Sequence, residues 1–428
     1  MPILFLKLSR IIMPKMLLHD VVVGKRDFQK FRGVIENGLF DDIIRLSKKL
    51  RNKRVLYINS NQNRGGVYEH LTSLVPLLRD LHIKIDWKAI TEVPADFYEV
   101  TKLLYNGIQG IEHNFTLKEW KIYEDFNKRI AKEIEDDPWD FVLVQDHQML
   151  GSSMQMNKKS RIKWIWQSHS ETHNPTKSLI KQLQKYLEPY EGIIFYFPEY
   201  VIPGLNSRRL TTSSIAIDPL SAKNKTISID EAKQVVKRFG IDLGRPFITQ
   251  VSRIDSWKDF PGVVDAWLLA KKQIPQLQLV FIGAVSLNNI HAKAIIELIE
   301  KKAMGEKDLH LLVNQVERKD IKAFQTASNI VIQKSLREGF GLTVSEALWS
   351  GTPVIGGNVG GIKHQIVNGK CGYLVGSIEE CYRRIVELIQ NPNKAQEMGQ
   401  FGREYIRKNF LLPRLMRDEL KLMVELMN

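Results

Sequence analysis

Residues 335–353 read SLREGFGLTVSEALWSGTP, which predicts a glycine-hinged loop that runs directly into a short helix. Gly339 and Gly341 allow a tight backbone, and a helix from about Thr343 presents free N–H groups and a positive dipole end. Gly351 then ends the helix before an apolar strand. The pattern therefore predicts an anion site, of a size that suits phosphate, where the loop meets the helix.

Two carboxylates, Glu338 and Glu346, flank the loop and the start of this helix. If all eight steps between them were helical, they would lie roughly 12 Å apart. A retaining glycosidase needs its two carboxyl groups within about 5–5.5 Å of each other. The pair is therefore not predicted to be the acid and nucleophile of a glycosidase. We expect the two glutamates to hold two ends of one extended ligand.

Length and composition favour a large α/β protein without disulfides. The chain has 428 residues, of which 43% are hydrophobic, and a chain of this length predicts two domains of about 200 residues each. Its two cysteines, Cys371 and Cys381, provide neither a disulfide framework nor a metal-binding cluster, which is typical of a cytoplasmic protein.

The formal net charge of +14 suits an anionic partner such as a nucleotide, a nucleic acid or a membrane surface. The basic residues are scattered along the chain, however. A nucleic-acid-binding surface needs a clustered basic stripe with interleaved aromatic residues, and the sequence has none. We therefore expect no nucleic-acid partner.

Residues 1–20 are predicted to be an N-terminal tail. The segment is apolar but broken by Lys7, Arg10, Pro14 and Lys15, and it has neither a long uninterrupted apolar core nor a small-residue cleavage site. It is predicted to be neither a membrane span nor a signal peptide. Weak membrane association through this tail stays open, as does an overlong gene start. Pairing as a homodimer is open as well.

The first half of the chain alternates short apolar strands with amphipathic helices. Residues 55–59 (VLYIN) predict a buried strand, and a loop ending in Gly65 and Gly66 leads into a helix that Pro76 must kink or break. Strand, glycine loop and helix in this order are the unit expected at a ligand crevice of a parallel sheet. A tight turn without a ligand is the alternative.

Polar residues follow two later strands of this half. Asp146 comes just after the apolar run 141–144, and His169 and Glu171 come just after the run 164–166. Folds of this kind keep their chemistry beyond the carboxyl ends of parallel strands. We therefore expect these side chains to face a ligand.

A second α/β series begins after a candidate linker at residues 217–224. The predicted strand at 247–251 ends just before Arg253 and Lys258. Two cations five residues apart beyond a strand can clamp a diphosphate, and a helix N-terminus can take the remaining oxygens. The predicted fold class is α/β, with two doubly wound, Rossmann-like domains facing a cleft.

The spacing of Glu338 and Glu346, preceded by Arg253 and Lys258, resembles the signature of the retaining glycosyltransferases of family 4. That signature is a Glu-x7-Glu motif preceded by an Arg-x4-Lys pair, and the resemblance, which runs from about Val22 to the end of the chain, implies the GT-B fold. Four stretches further resemble the trehalose glycosyltransferring synthases, which join a nucleotide-activated glucose to free glucose: residues 55–78, 164–175, 199–201 and 217–224.

The resemblance also implies the division of the chain. Residues 21–218 would form an acceptor-side Rossmann-like domain, and residues 219–404 would form the Rossmann-like domain that binds a nucleotide sugar. A helix over about 405–428 would pack back on the first domain.

For the second half, the resemblance implies a set of donor contacts. Arg253 and Lys258 would hold the donor diphosphate and support the departing charge. Glu338 would bind hydroxyls of the donor sugar, and Glu346 would bind the ribose. Backbone N–H groups at the helix start would meet the phosphates, at Gly341, Leu342 and Thr343.

For the first half, the resemblance implies contacts to both substrates. Gly65 and Gly66 would let the backbone approach the donor. His169 would touch the transferred sugar near the reacting carbon, and Asp146 and Glu171 would help to hold the acceptor.

The chain departs from the family pattern mainly on the acceptor side. His147 stands where relatives tend to carry proline, Gln145 where a histidine is common, and Arg64 where a third glycine is frequent. The acceptor is therefore the least constrained part of the prediction.

The implied reaction moves glucose from ADP-, UDP- or GDP-glucose to glucose, with retention at the anomeric carbon and without a covalent nucleophile. Open alternatives are another acceptor such as a lipid or glycerate, a trehalose phosphorylase, and, more distantly, a basic nucleic-acid-binding protein. No cofactor and no metal are expected. The acidic cluster at residues 136–140 precedes a strand rather than following one, so it predicts a turn.

Overall fold

A computed structural model describes residues 16–61, 65–157, 161–172, 174–205, 209–285 and 290–428. Within these ranges the chain forms two sheets whose strands alternate with helices, which confirms the predicted α/β fold class. None of the described helices combines the length and the hydropathy needed to cross a bilayer. The predictions for residues 1–15 and for Arg64 lie outside the described residues.

Among the described residues, the first half supplies seven strands: β1 (Leu18–Asp20), β2 (Arg54–Asn59), β3 (Lys84–Ile90), β4 (Phe141–Gln145), β5 (Lys163–Gln167), β6 (Gly192–Phe195) and β7 (Leu210–Thr212). They lie in the order β1-β3-β2-β4-β5-β6-β7. β1 is antiparallel to β3, and the other neighbours are parallel. β4 is buried along its whole length, as a strand covered on both faces must be.

The edge strand β1 lies inside the segment predicted to be a tail. It pairs with β3, and the backbone N–H groups of Leu17 and Leu18 donate to the two carboxylate oxygens of Glu133, at 2.8 and 2.9 Å. Leu18 is buried. The tail prediction is therefore wrong for residues 18–20, because their backbone pairs with β3 and the segment is bonded to Glu133.

In the part of the first half that the structure describes, five α-helices connect the strands: α1 (Asn37–Leu50), α2 (Gly66–Asp80), α3 (Ala95–Ile108), α4 (Leu117–Glu135) and α5 (Lys177–Leu187). α4 starts at a capping box formed by Thr116 and Glu119. α2 continues through Pro76, and residues 74–78 around this proline are buried. Packing thus keeps one helix where the proline predicted a kink or a break.

Outside residues 286–289, the second half supplies six strands: β8 (Phe247–Arg253), β9 (Gln278–Ala284), β10 (Leu309–Val313), β11 (Ile330–Gln333), β12 (Val354–Gly357) and β13 (Gly372–Val375). They are all parallel, in the order β10-β9-β8-β11-β12-β13. The described helices that accompany them are α6 (Ile229–Lys237), α7 (Phe260–Lys271), α8 (Ile290–Ala303), α9 (Ile321–Ala327), α10 (Leu342–Trp349), α11 (Ile362–Gln365) and α12 (Ile378–Gln390).

The last two helices return the chain from the second sheet to the first. The segment expected to form one helix, about 405–428, contains the end of one helix, α13 (Pro392–Asn409), and the whole of another, α14 (Leu412–Leu426). Between them, Ile217 donates to the carbonyl of Phe410 and accepts from the N–H of Leu412, each at 2.9 Å. This bridge and Pro413 in the first turn of α14 separate the helices, and α14 then packs on α1. The domain boundaries themselves stay a prediction.

A buried carboxylate joins α14 to the first sheet. Glu419 is 1% exposed, and its Oε2 accepts a hydrogen bond of 2.6 Å from the hydroxyl of Tyr57 in β2. Burial raises the pKa of Glu419 to about 7; the nearby Asp418 adds to the rise, whereas Tyr57 and Arg414 oppose it. The carboxyl group therefore binds a proton in the folded protein at pH values where it is ionised in the unfolded chain.

We expect Glu419→Gln to flatten the pH dependence of stability. Because the folded-state pKa lies above the unfolded value, the contribution of Glu419 is fully present below about pH 4 and is lost as pH rises through about 7. At pH 8 the variant should have a higher free energy of unfolding by up to about 3 kcal/mol, measured by urea titration. Glu425→Gln, on a partly exposed residue of α14, is the control. Parallel pH profiles for wild type and Glu419→Gln would contradict this assignment.

Candidate active site

The predicted loop and helix lie at the carboxyl edge of the second sheet, between β11 and β12. Gly341 has a φ of 85° and forms the N-cap of α10, a conformation that glycine adopts without strain. The Thr343 hydroxyl donates to the carbonyl of Val251 in β8 at 3.2 Å, which fixes the helix start against the sheet. Gly351, with a φ of 81°, follows the helix end. The loop–helix prediction is confirmed, with the helix starting at Leu342.

The first motif glutamate is ion-paired with the motif lysine. Lys258 Nζ contacts Glu338 Oε2, and the two side chains are only 11% and 14% exposed. The Ser335 hydroxyl lies 3.4 Å from the same oxygen. Arg253, by contrast, is 81% exposed and lies 3.5 Å from the Asp255 carboxylate. The structure thus brings Lys258 to Glu338 and leaves Arg253 reaching into solvent beyond the end of β8.

Asp259, which follows Lys258, fixes the turn between β8 and α7. The sequence was given no prediction for this residue. Asp259 has a φ of 46°, caps α7 by accepting from the N–H of Gly262 at 3.2 Å, and forms an ion pair with Lys334. A Cβ on Gly262 would lie 2.4 Å from the Asp259 carboxylate. An aspartate placed just before a Phe-Pro helix start is the N-cap signal that could have identified it.

The second motif glutamate, Glu346, is 2% exposed and lies on α10. Its Oε1 is 2.6 Å from Nζ of Lys223, and its Oε2 is 3.5 Å from Nε2 of Gln325. Lys223 also lies 3.5 Å from Glu69 on α2. Lys223 belongs to the predicted linker, but the sequence assigns it no role, since no local pattern links it to Glu346, a residue 123 positions away.

The predicted catalytic histidine is enclosed by two polar partners. Nδ1 of His169 lies 2.6 Å from the Tyr196 hydroxyl, and Nε2 lies 2.7 Å from Oε1 of Gln145. Because an amide oxygen only accepts, this orientation of Gln145 puts the proton on Nε2. Burial lowers the pKa of His169 to about 4, against the opposing effect of Asp146. The ring is therefore neutral at neutral pH.

Asp146 follows β4 with a φ of 66°, and its N–H donates to the carbonyl of Gln167 at 2.8 Å. Its carboxylate lies 3.3 Å from Nδ1 of His147 and accepts from the Ser170 hydroxyl at 3.4 Å. Burial acts to raise the pKa of Asp146, but His147 and the hydrogen bonds hold it below its usual value. The group is thus an ionised acceptor at the edge of the first sheet.

The glycine loop of the first half faces the same region. Gly65 has a φ of 94° and caps α2, which starts at Gly66. Among the described residues, no atom lies within 4 Å of a Cβ built on either glycine. Both line one cavity together with Gln145 and Asp146. The structure therefore gathers these predicted residues at one opening.

Glu171 connects the two halves. Its Oε2 accepts from Nε of Arg337 at 3.4 Å, and its Oε1 is 3.4 Å from the Tyr200 hydroxyl, which also donates to the carbonyl of Gly339 at 3.0 Å. Arg337 Nη2 further donates to the backbone carbonyl of Gln109 at 2.9 Å. The sequence assigns no role to Arg337, Tyr200 or Gln109, because only the folded chain places the acceptor side against the loop that contains Glu338.

A glycine turn after β12 closes this junction. The N–H of Gly361 donates to the carbonyl of Glu338 at 3.2 Å. A Cβ on Gly360 would lie 1.6 Å from that carbonyl oxygen and 2.3 Å from Oε1 of Glu171. The turn after β12, the loop that contains Glu338 and the loop after β5 that contains Glu171 can therefore meet here only because residue 360 has no side chain.

The described residues contain no cluster of three or more histidine, cysteine or acidic side chains that could hold a metal ion. Within the acidic cluster, the Asp140 carboxylate accepts from Nζ of Lys53 at 2.8 Å and from the N–H of Arg54 at 2.9 Å. Residues 136–140 thus lie in a turn tied to the start of β2.

Two family descriptions match consecutive parts of the chain. "Trehalose synthase, N-terminal domain" matches residues 57–202, and "Glycosyl transferases group 1" matches residues 232–405. The chain is 38% identical to a trehalose synthase of Rubrobacter xylanophilus over 96% of this chain and 100% of that one. It is 36% identical to a trehalose synthase of Pyrococcus horikoshii, over 94% and 96%.

More distant similarities agree on the fold. Sucrose-phosphate synthase from Thermosynechococcus elongatus superimposes with a TM-score of 0.70 at 16% identity, covering 88% of this chain and 99% of that chain. A trehalose phosphorylase of Pleurotus pulmonarius is 25% identical over 89% of this chain but only 58% of its own length. With its two-sheet GT-B fold and its full-length match to relatives above 30% identity, the chain belongs to the trehalose synthase family of glycosyltransferases.

Proposed function

We propose that this protein is a retaining hexosyltransferase that moves glucose from a nucleoside-diphosphate glucose to free glucose, forming trehalose. The observation that carries the proposal is the Lys258–Glu338 ion pair beside the start of α10, with Arg253 exposed at the end of β8. The two cations, Arg253 and Lys258, can bind a diphosphate, and the carboxylate of Glu338 can accept hydrogen bonds from sugar hydroxyls. Together these groups suit a sugar diphosphate.

The donor diphosphate would lie at the N-terminus of α10. Backbone N–H groups of Gly341, Leu342 and Thr343 start this helix, where the helix dipole favours negative charge. Arg253 can reach a phosphate without breaking a buried contact, because the ion pair that it forms with Asp255, at 3.5 Å, lies at the surface. Glu346 would accept hydrogen bonds from the ribose.

The acceptor would lie near Asp146 and Glu171, across the cleft. A cavity of about 490 Å³ between the halves is lined by Glu171, Arg337, Glu199 and Lys363, among others. Arg337 is 3.4 Å from Glu171, and Lys363 is 3.1 Å from Glu199, so both of these cations are already paired with carboxylates. This balance of charge favours a neutral sugar over a sugar phosphate.

In the proposed reaction, the bond from the anomeric carbon to the phosphate oxygen breaks while a bond to an acceptor hydroxyl oxygen forms on the same face. The acceptor proton moves to the leaving phosphate, giving trehalose and a nucleoside diphosphate. Arg253, Lys258 and the start of α10 would stabilise the charge that develops on the diphosphate. His169 would contact the donor sugar near the reacting carbon as an uncharged ring, because burial lowers its pKa to about 4.

Two alternatives share this donor site. A lipid or glycerate acceptor would use the same helix end and differ on the first half. A phosphorylase would use inorganic phosphate. The match to a trehalose phosphorylase covers only 58% of that protein's length, so we rank this alternative below trehalose synthesis.

Incubation with ADP-, UDP- or GDP-glucose plus glucose should yield a non-reducing disaccharide with at least one donor, detected by chromatography and by NMR of both anomeric carbons. Glucose 6-phosphate should be the poorer acceptor because the cavity cations are paired. A product only with inorganic phosphate or a lipid would replace trehalose synthesis by one of the alternatives.

Arg253→Ala should lower kcat by about 10²-fold or more, because it removes a preorganised charge at the leaving group. Arg238→Ala is the matched control, since Arg238 is 60% exposed and pairs with Asp320 outside the proposed site. Steady-state kinetics would measure both variants. Unchanged turnover in Arg253→Ala would exclude the proposed role.

We expect activity to be independent of added metal, because the charge on the diphosphate would be met by protein groups. EDTA treatment followed by assay with and without Mg²⁺ or Mn²⁺ tests this expectation. Loss of activity that either ion restores would show that a metal completes the site.

A further inference from the structure

A partly buried lysine, Lys223, lies in the crossover between the two sheets and contacts one helix from each half of the chain. Nζ of Lys223 lies 2.6 Å from Glu346 on α10 and 3.5 Å from Glu69 on α2. The Lys223 side chain is 22% exposed and that of Glu346 is 3% exposed. Burial acts to lower the pKa of Lys223, but Glu346 and Glu69 raise it above its usual value. Lys223 is therefore fully charged at neutral pH.

The backbone around Lys223 is held on both sides. Before it, the Asp218 carboxylate accepts from Arg26 at 2.7 Å and from the N–H of Leu220 at 3.0 Å. After it, the carbonyl of Asn224 accepts from the indole N–H of Trp349 at 3.0 Å, at the end of α10. The ammonium group is thus presented to Glu346 from a fixed frame.

Among the described residues, Lys223 is the only one that forms an ion pair with Glu346. Lys322 on α9 is 2% exposed, and its Nζ has no hydrogen-bond partner among the described residues. Burial lowers the pKa of Lys322 to about 7, so it carries only part of its charge at neutral pH. Leaving a buried carboxylate without its full counter-charge is strongly unfavourable. The orientation and charge balance of Glu346 therefore depend on Lys223.

The same groups line a cavity beside the start of α10, and that cavity contains unsatisfied polar atoms. Lys223, Glu346, His70 and Asn224 are among its lining residues. His70 is 5% exposed, and neither of its ring nitrogens has a hydrogen-bond partner among the described residues; Oδ1 of Asn224 also lacks one. Burial lowers the pKa of His70 to about 3, so its ring is a neutral donor and acceptor. A ligand with hydroxyl groups would satisfy such atoms.

We propose that Lys223 is a positioning residue for the donor nucleoside: it neutralises Glu346 and fixes the carboxylate so that the ribose hydroxyls can donate to it. This inference rests on the proposed function, in which Glu346 binds the ribose. Since the ribose is remote from the reacting carbon, the effect falls on donor binding and hardly on the chemical step. Lys223 is therefore required for the protein to bind a ribonucleotide more tightly than a nucleotide whose sugar lacks the 2′ and 3′ hydroxyls.

The test measures binding of the nucleoside diphosphate that the donor assay identifies, and of its 2′,3′-dideoxy analogue, by calorimetry. In Lys223→Met the affinity for the ribonucleotide should fall at least about tenfold, with affinity for the dideoxy analogue unchanged. The donor KM should rise at nearly constant kcat. Lys223→Arg should restore part of the loss, and Lys225→Met, on an exposed lysine of the same segment, should bind both ligands as wild type does.

A double-mutant cycle covers the case in which Lys223→Met folds poorly. In a Glu346→Gln background, Lys223→Gln should change ribonucleotide affinity little, because the carboxylate that it positions is gone. Equal losses for both ligands, additive losses in the cycle, or unchanged affinity in Lys223→Met would each overturn the inference. If wild type binds no nucleoside diphosphate, the proposed function itself is wrong, which is a distinct outcome.

Discussion

The close backbone contact at Gly360 is the constraint on which the site depends. The turn after β12 donates from Gly361 to the carbonyl of Glu338, and there is no room for a Cβ on Gly360 between that carbonyl and Glu171. The motif loop of the second sheet and the polar loop after β5 are therefore held against one another. With the loop fixed, Lys258 meets Glu338 in a buried ion pair, and α10 starts at a defined point of the cleft.

Both motif glutamates are paired with lysines, but the lysines come from different parts of the fold. Lys258 belongs to the turn after β8 in the same sheet, whereas Lys223 belongs to the crossover between the sheets. Buried ion pairs contribute orientation more reliably than net stability, because desolvation offsets much of the attraction. The two ion pairs thus fix the orientation of two carboxylates: Glu338 beside the proposed sugar position and Glu346 beside the proposed ribose position.

The first half contributes a polar network rather than an array of charges. His169 lies between Tyr196 and Gln145, and Asp146 is held by His147 and Ser170. Gln145 and His147 are two of the positions at which the sequence departs from the family pattern, and both take part in these contacts. The departures are therefore accommodated within the network, since Gln145 supplies the acceptor for Nε2 of His169.

The sequence by itself determined the fold class, several of the strands, the loop–helix unit at Gly341 and the family, because periodicity and motif spacing are local properties. It misplaced residues 18–20 and merged α13 with α14, since an edge pairing and a bridge from Ile217 to Phe410 are contacts between distant segments. It also missed Asp259, Arg337 and Lys223. Only the tertiary structure decided which side chains face the motif glutamates, because burial and ion pairing depend on groups that the chain brings together from both halves.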